Sequence, residues 1–441
     1  MTTVTETPSP YLDLIDRAKG DLPGAALSWV RDLRAQGRAG FAAAGLPTVK
    51  AEAWKYTNLR ALEKIAFEPA TDAAAATHFD VLPTIRADGA AGPRLVFVDG
   101  RLRADLSSLD GLPEGVSLTG LAAGLSGDDD LLADHLGKLA PLDQSSLAAL
   151  NTAFLADGPV LRVCRGVTVE PTIELVFVTL GAGDRPTAFH PRTLIVVEPN
   201  AKATVVEHHV GLGTGTTLAN HVAEVFVGDG ANLDHYKVQR EGVDAYHIAT
   251  TAARIGRDAS YINFILTTGA RLARNEVWTE LAGTGATCHV SGGYLVRGEQ
   301  HCDTTTVIDH AAPHGTSREV YKGAIDGRAR AVFQGKIIVR PGAQKTDGHQ
   351  LNRALLLSDT AEIDAKPELE IYADDVKCSH GATAGELDDT ALFYLRARGI
   401  DRDTARALLT AAFVAEAIDE IPEEPVRTAF QAIVDGWLAG A

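Results

Sequence analysis

From residue 158 to about 385 the apolar, β-prone residues come in short runs broken by Gly, Asn and Asp, with almost no helical periodicity. Four of these runs read as copies of one unit: VVEPNAKATVVEHHV, VFVGDGANLDHYKV, ARIGRDASYINFIL and ELAGTGATCHVSG. Their turn alanines, Ala201, Ala231, Ala259 and Ala286, are 30, 28 and 27 residues apart. Later turn-like positions at Ala343, Ala361 and Val376 follow at 18 and 15. A strand-and-turn unit repeated at this interval predicts stacked coils, each burying its face only against its neighbours. That suits a β-solenoid better than a sandwich.

On either side the apolar spacing changes to three and four. Leu12, Ile15, Leu27, Val30 and Leu33 mark helices near the start, and Leu131, Leu132, Leu136 and Leu139 mark more between 118 and 155. Between them, Arg94–Val98 followed by Asp99-Gly100 reads as a strand and turn. Beyond Gly385, Leu387–Arg398 predicts a helix closed by Gly399, and Asp403 an N-cap. Ala405, Leu408, Leu409, Ala412 and Phe413 then form an apolar stripe. A last helix follows PEEP (422–425), with Val426, Phe430, Ile433, Val434, Trp437 and Leu438 on one side. The chain therefore divides into a helical (α+β) region (1–157), a β-solenoid (158–385) and a helical C-terminal domain (386–441). Two apolar faces in so short a C-terminal domain suggest a partner surface. Nearest-neighbour stacking carries a further expectation, that the solenoid stays folded without residues 402–441.

At 441 residues, with 45% hydrophobic and 22% charged content, the chain has the make-up of a globular protein of two or three domains. A net charge of −17 argues against a nucleic-acid partner, which needs clustered Lys and Arg. Four cysteines are too few for a disulfide framework, and without a Cys-x-x-Cys their spacing does not encode a self-contained zinc or cluster site of the usual kind. No apolar stretch is long enough to span a bilayer, and the start has no signal-peptide pattern, so a cytoplasmic protein is expected. Gly335-Lys336 precedes Ile337 rather than Ser or Thr, and GLGTGTT and GTGATC lack a dinucleotide fingerprint. If ATP drives the process, a partner hydrolyses it.

Chemistry concentrates in IYADDVKCSHGATAGE (371–386), where the β pattern hands over to helix. On a strand, Cys378 and His380 point to one face. Thiolate and imidazole are both good iron ligands, but two ligands cannot close a tetrahedral site. The others must come from elsewhere in the chain or from another protein. His301 and Cys302 point to opposite faces, and Pro313 speaks against a helical pair from His310 and His314. The acids Glu362, Asp364, Glu368 and Glu370 read as a solvated face; as a catalytic pair they would make the chain a β-solenoid carbohydrate-active enzyme.

KTDGHQLNRALLLSD (345–359), PELEIYADDVKCSHGATAGELDD (367–389) and LFYLRARGI (392–400) resemble the SufB/SufD family, the scaffold of SUF iron–sulfur cluster assembly. The resemblance extends to DHAAPHGTSREVYKG (309–323) and, more faintly, GLPTVKAEAWKYTNL (45–59). KCSHGAT with FYLRARGI resembles the SufD branch; the SufB branch replaces that cysteine and carries an acidic residue before the histidine. The resemblance implies a mainly β fold, a right-handed parallel β-helix flanked by helical N- and C-terminal domains. It implies a non-catalytic subunit of a SufBCD scaffold that pairs with a SufB-type paralogue, or with itself in isolation, and docks a SufC-type ATPase on its C-terminal helices. Cys378 and His380 would then face a nascent iron–sulfur cluster, or iron, at the interface, with His380 the better iron ligand and sulfur acceptance on the partner. The SufB paralogue itself is the nearest alternative.

Overall fold

In the computed structural model, which describes residues 9–70, 79, 82–85, 92–127 and 130–440, the sequence repeat is one coil of a parallel β-helix. Lys202, Asn232, Ser260, Thr287, Thr316, Asp347 and Lys377 stand beside one another on successive strands. The advance per coil runs from 27 residues (287 − 260) to 31 (347 − 316). The four turns into this column that carry the sequence repeat use a left-handed residue followed by a small one. Asn200, Gly230, Asp258 and Gly285 have φ of 59°, 67°, 53° and 74°, and the buried alanine of the repeat follows each. Gly, Asn and Asp tolerate that conformation best, which is why they punctuate the pattern. The alanine carbonyl then accepts the first N–H of the next coil, as from Asn232 to Ala201 (2.9 Å) and from Thr287 to Ala259 (2.8 Å).

The series continues through Gly315, Thr346 and Val376, the residues ahead of the last three strands of that column. Ala343 lies in the same turn as Thr346, between Arg330–Val339 and Asp347–Leu356, whereas Ala361 precedes Glu362 on the opposite side of the coil. The intervals of 18 and 15 are thus steps between corners, and the coil does not shorten.

Strands alternate between two facing sheets of 11 and 10 strands. The first runs parallel from Pro159–Val163 to Glu362–Ile371, the second from Arg94–Val98 to Lys377–Gly385. Antiparallel strands close the starting end: Val116–Gly120 on Pro159–Val163, and Arg101–Leu102 on Arg94–Val98. The sheets therefore take in strands ahead of residue 158. Between them lies the main core, lined by residues such as Val205, Ile255, Tyr261, Tyr294, Phe333 and Ile337.

The helices cover the outer faces. They are α1 (Pro10–Ala18), α2 (Ser28–Ala44), α3 (Leu121–Gly124), α4 (Asp130–His135), α5 (Ser146–Phe154), α6 (Asp389–Arg396), α7 (Arg402–Ile418) and α8 (Glu424–Ala439). Tyr11, Phe41, Trp54, Leu150 and Phe154 pack on Leu218, Tyr246 and Ile248 of the first sheet. Trp54 also stacks on the buried Arg274 guanidinium at 3.9 Å, so the tryptophan joins the N-terminal region to the solenoid. On the second sheet, Val414, Ala417, Ile418, Val426, Phe430 and Val434 of α7 and α8 cover Val206, Tyr236, Phe264 and Leu295.

Three expectations for the C-terminal domain change. The helix expected over 387–398 is Asp389–Arg396. The cap of α7 is Asp401, whose carboxylate accepts from Thr404 N–H (2.9 Å), while Asp403 lies inside the first turn. The side of α7 that packs is Ala405, Thr410, Val414, Ala417 and Ile418, which leaves Leu408 and Ala412 exposed. α7 and α8 supply the cover of one sheet, a contact that nearest-neighbour stacking of the coils leaves out.

Candidate functional site at the open end of the β-helix

Lys377–Gly385 is the last strand of the second sheet, paired only with Asp347–Leu356. Among the described residues nothing adds a strand to its free side, nor to that of Glu362–Ile371 in the first sheet. Free parallel edges carry unpaired N–H and C=O groups, which makes them pairing surfaces. Most of Lys377–Gly385 is exposed.

Register decides which way its side chains point. Cys378 lies beside Gly348 and His380 beside Gln350, and both neighbours are buried, inward-facing residues. Cys378 is half-buried at the rim of the main core and His380 is exposed. Burial pushes the Cys378 thiol above its ordinary value, outweighing a backbone hydrogen bond from Gly348. A protonated thiol is a poor nucleophile and a poor ligand until a metal or a cation displaces its proton. Ser379, between the two, faces outward: its Oγ is 2.7 Å from His349 Nδ1, and His349 Nε2 is 2.7 Å from Asp347 Oδ1. The end of the stack thus carries a thiol and an imidazole two residues apart, at an edge unpaired among the described residues.

Beneath His380 runs a column the sequence reading missed. Glu319, Gln350 and His380 occupy one register position on three successive strands. Gln350 Nε2 donates to Glu319 Oε2 (2.7 Å) and Thr306 Oγ1 to Glu319 Oε1 (2.6 Å). Burial pushes the Glu319 carboxyl up to about 7. Only coil lengths of 31 and 30 residues (350 − 319 and 380 − 350) link these positions, and no local motif records them.

The other candidates separate. Cys302 is buried in the core with its thiol pushed up by burial, while His301 bonds Thr57 Oγ1 at 2.9 Å on the outer face. His310 pairs with Ser317 Oγ (2.8 Å), and His314 sits in a corner at φ 60°. The late acids are all paired with bases. Arg330 reaches Asp364 (3.0 Å) and Glu362 (3.7 Å), Lys336 reaches Glu370 (2.8 Å), and Lys366 reaches Glu368 (3.3 Å). They do not form the unpaired facing carboxylates a glycosidase needs. No helix among the described residues is long and apolar enough to cross a membrane.

Comparison with known proteins agrees with this geometry along nearly the whole chain. Residues 178–413 match the family described as SUF system FeS cluster assembly, SufBD core domain, and residues 5–175 match the SufBD protein N-terminal region. An iron–sulfur cluster assembly SufBD family protein of Synechocystis is 36% identical over 86% of this chain and 84% of its own. The iron–sulfur cluster assembly protein SufD of Escherichia coli is 33% identical over 90% of each chain. SufD of Bacillus subtilis is 30% identical over 73% of this chain and 74% of its own. With two family matches that between them take in both the helical region and the β-helix, the chain belongs to the SufB/SufD family of the SUF system for iron–sulfur cluster assembly.

Proposed function

We propose that the chain is a SufD-like, non-catalytic scaffold subunit on which an iron–sulfur cluster is assembled jointly with a SufB-type paralogue. One observation carries this reading: Cys378 and His380 lie on the terminal strand of a stack whose free edge is unpaired among the described residues. Two ligands at an edge call for a second chain to complete the set, and a paralogue with the same fold has a matching edge to offer. The cluster is then cargo held between two proteins. His380, the exposed member, takes the role of iron ligand. Cys378, held as a thiol by burial, is the weaker sulfur acceptor, which fits sulfur transfer to the partner.

ATP hydrolysis falls to a SufC-type ATPase in this reading. The support is the outer surface of α6 and α7: α6 buries none of its residues, and Phe393 is 73% and Leu408 49% exposed. Large apolar side chains left in water on adjoining helices fit a docking surface. The setting is cytoplasmic, in keeping with four free cysteines.

The test is co-expression with both partners and measurement of iron and sulfide in complexes of equal stoichiometry. His380→Ala is expected to keep folding and pairing but to lower cluster content by roughly tenfold or more, as loss of a metal ligand does. Cys378→Ala is expected to do less. Wild-type iron loading in the His380 variant would remove the main support of this reading.

A further inference from the structure

A second cluster of ligands lies inside the β-helix, several coils away from the free edge. Strand alternation turns His209 of Lys202–Gly211, His221 of Thr217–Val227 and His247 of Ala245–Ile255 into the space between the two sheets. All three are buried, and one ring nitrogen of each lies within 4.8 Å of the others. The His209 ring meets that of His221 edge-on at 4.5 Å and that of His247 at 5.0 Å.

Their hydrogen bonding is incomplete in a telling way. His209 Nδ1, His221 Nε2 and His247 Nδ1 are buried without a hydrogen-bond partner. A buried polar atom left unpaired costs about 1–3 kcal/mol, so three such nitrogens in one place ask for an explanation. On its other side His209 is held by Glu207 (2.9 Å), the carboxylate–histidine arrangement that orients metal-binding imidazoles. Glu241 Oε2 lies 2.8 Å from His247 Nδ1, beside the three histidines but outside the group whose nitrogens converge. Beside the cluster stand two carboxylates, Glu241 and Glu207, the latter also 3.0 Å from His235 Nε2, and one ammonium, Lys237, which contacts His247 Nε2 and Asn275 Oδ1 (both 2.8 Å). A cation offsets the excess negative charge in that dry space.

We propose that His209, His221 and His247 bind a divalent first-row transition-metal ion inside the β-helix, with the Glu241 carboxylate turning in from beside His247 as the fourth donor. Three imidazoles and a carboxylate are a zinc-type tetrahedral set, and Fe(II) shares that donor chemistry. With no open position towards solvent, the ion is structural: it ties together three strands from two sheets. It is captured as those coils close and exchanges slowly afterwards. The proposal is independent of the cluster-assembly reading, because it uses none of the residues at the free edge.

The experiment uses the full-length, untagged chain, produced separately in zinc-, iron- and cobalt-supplemented medium and analysed for metal after extensive EDTA treatment. About one tightly held ion per chain is expected, and the metal retained distinguishes zinc from iron. The cobalt form is expected to show the intense visible bands of four-coordinate Co(II). His221→Gln and His247→Gln are expected to lower retention at least roughly tenfold. The Cys378→Ala, His380→Ala double variant is expected to keep the ion. A wild-type chain free of metal from all three media overturns the proposal, and this arm stands even if the histidine variants do not fold. Retention unchanged in His221→Gln, or lost in the Cys378, His380 double variant, overturns it equally.

Discussion

Glu319 is stabilised by two neutral donors, Thr306 and Gln350, and burial dominates its ionisation. Its carboxyl, pushed up to about 7 from an ordinary value of 4.5, binds a proton more tightly in the folded chain than in the unfolded one. Between those two values the folded state keeps a proton that the unfolded state has released, so stability falls as pH rises. The cost is fully present above about pH 7 and absent below about pH 4.5. Glu319→Gln is therefore expected to stabilise the chain at pH 8 by on the order of 1–3 kcal/mol and to gain nothing at pH 4. Paired thermal melts at the two values check this; an equal gain at both would place the effect in packing. The same residue marks a limit of the sequence. Cys378 and His380 can be read as a pair because two residues on a strand share a face, a local rule. Glu319 and Gln350 join them only through a register set by two intervening coils, and nothing local encodes it.

The elements divide along similar lines. The four alanine corners are legible because each coil needs a left-handed residue and then a side chain small enough for the inner bend. At the later corners His314 and Lys345 take the left-handed position with φ of 60° and 64°, and the pattern fades although the geometry persists. Helix α7 shows the opposite failure. It carries apolar residues in more than one direction, so periodicity alone selects a stripe through Leu408 and Ala412. The sheet instead accepts the side with Thr410, Val414 and Ala417, which lets the backbone approach closely. Two outcomes follow for this domain. Removal of 402–441 uncovers Val206, Tyr236, Phe264 and Leu295, so the truncated chain is expected to aggregate or to melt well below the full chain. Folded, monodisperse material from that truncation would refute it. Leu408→Asp with Phe393→Asp leaves that packing untouched and is expected to abolish co-purification of a SufC-type ATPase while the melting temperature stays unchanged. An ATPase still captured by this variant puts the docking surface elsewhere.

For the whole molecule, closure is one-sided. Antiparallel strands close the starting end, while both sheets stop at Glu362–Ile371 and Lys377–Gly385 with no further strand among the described residues. The chain is therefore expected to form a dimer with a SufB-type partner and, at micromolar concentration in isolation, with itself. Light scattering with and without the partner checks this, and a strict monomer in both samples counts against it. The cover of the second sheet adds a consequence in time. Val206 is packed by residues from Val414 onward, so its strand leaves the ribosome roughly 200 residues before its cover does, about 10–40 s at ordinary rates of synthesis. Throughout that interval the nascent chain carries a broad apolar sheet for which Ile85 is the one residue of that buried cluster already made ahead of it. Holding factors at the tunnel exit are the natural guardians of such a surface, and a transcript broken shortly before codon 402 yields a sticky product rather than a shorter scaffold.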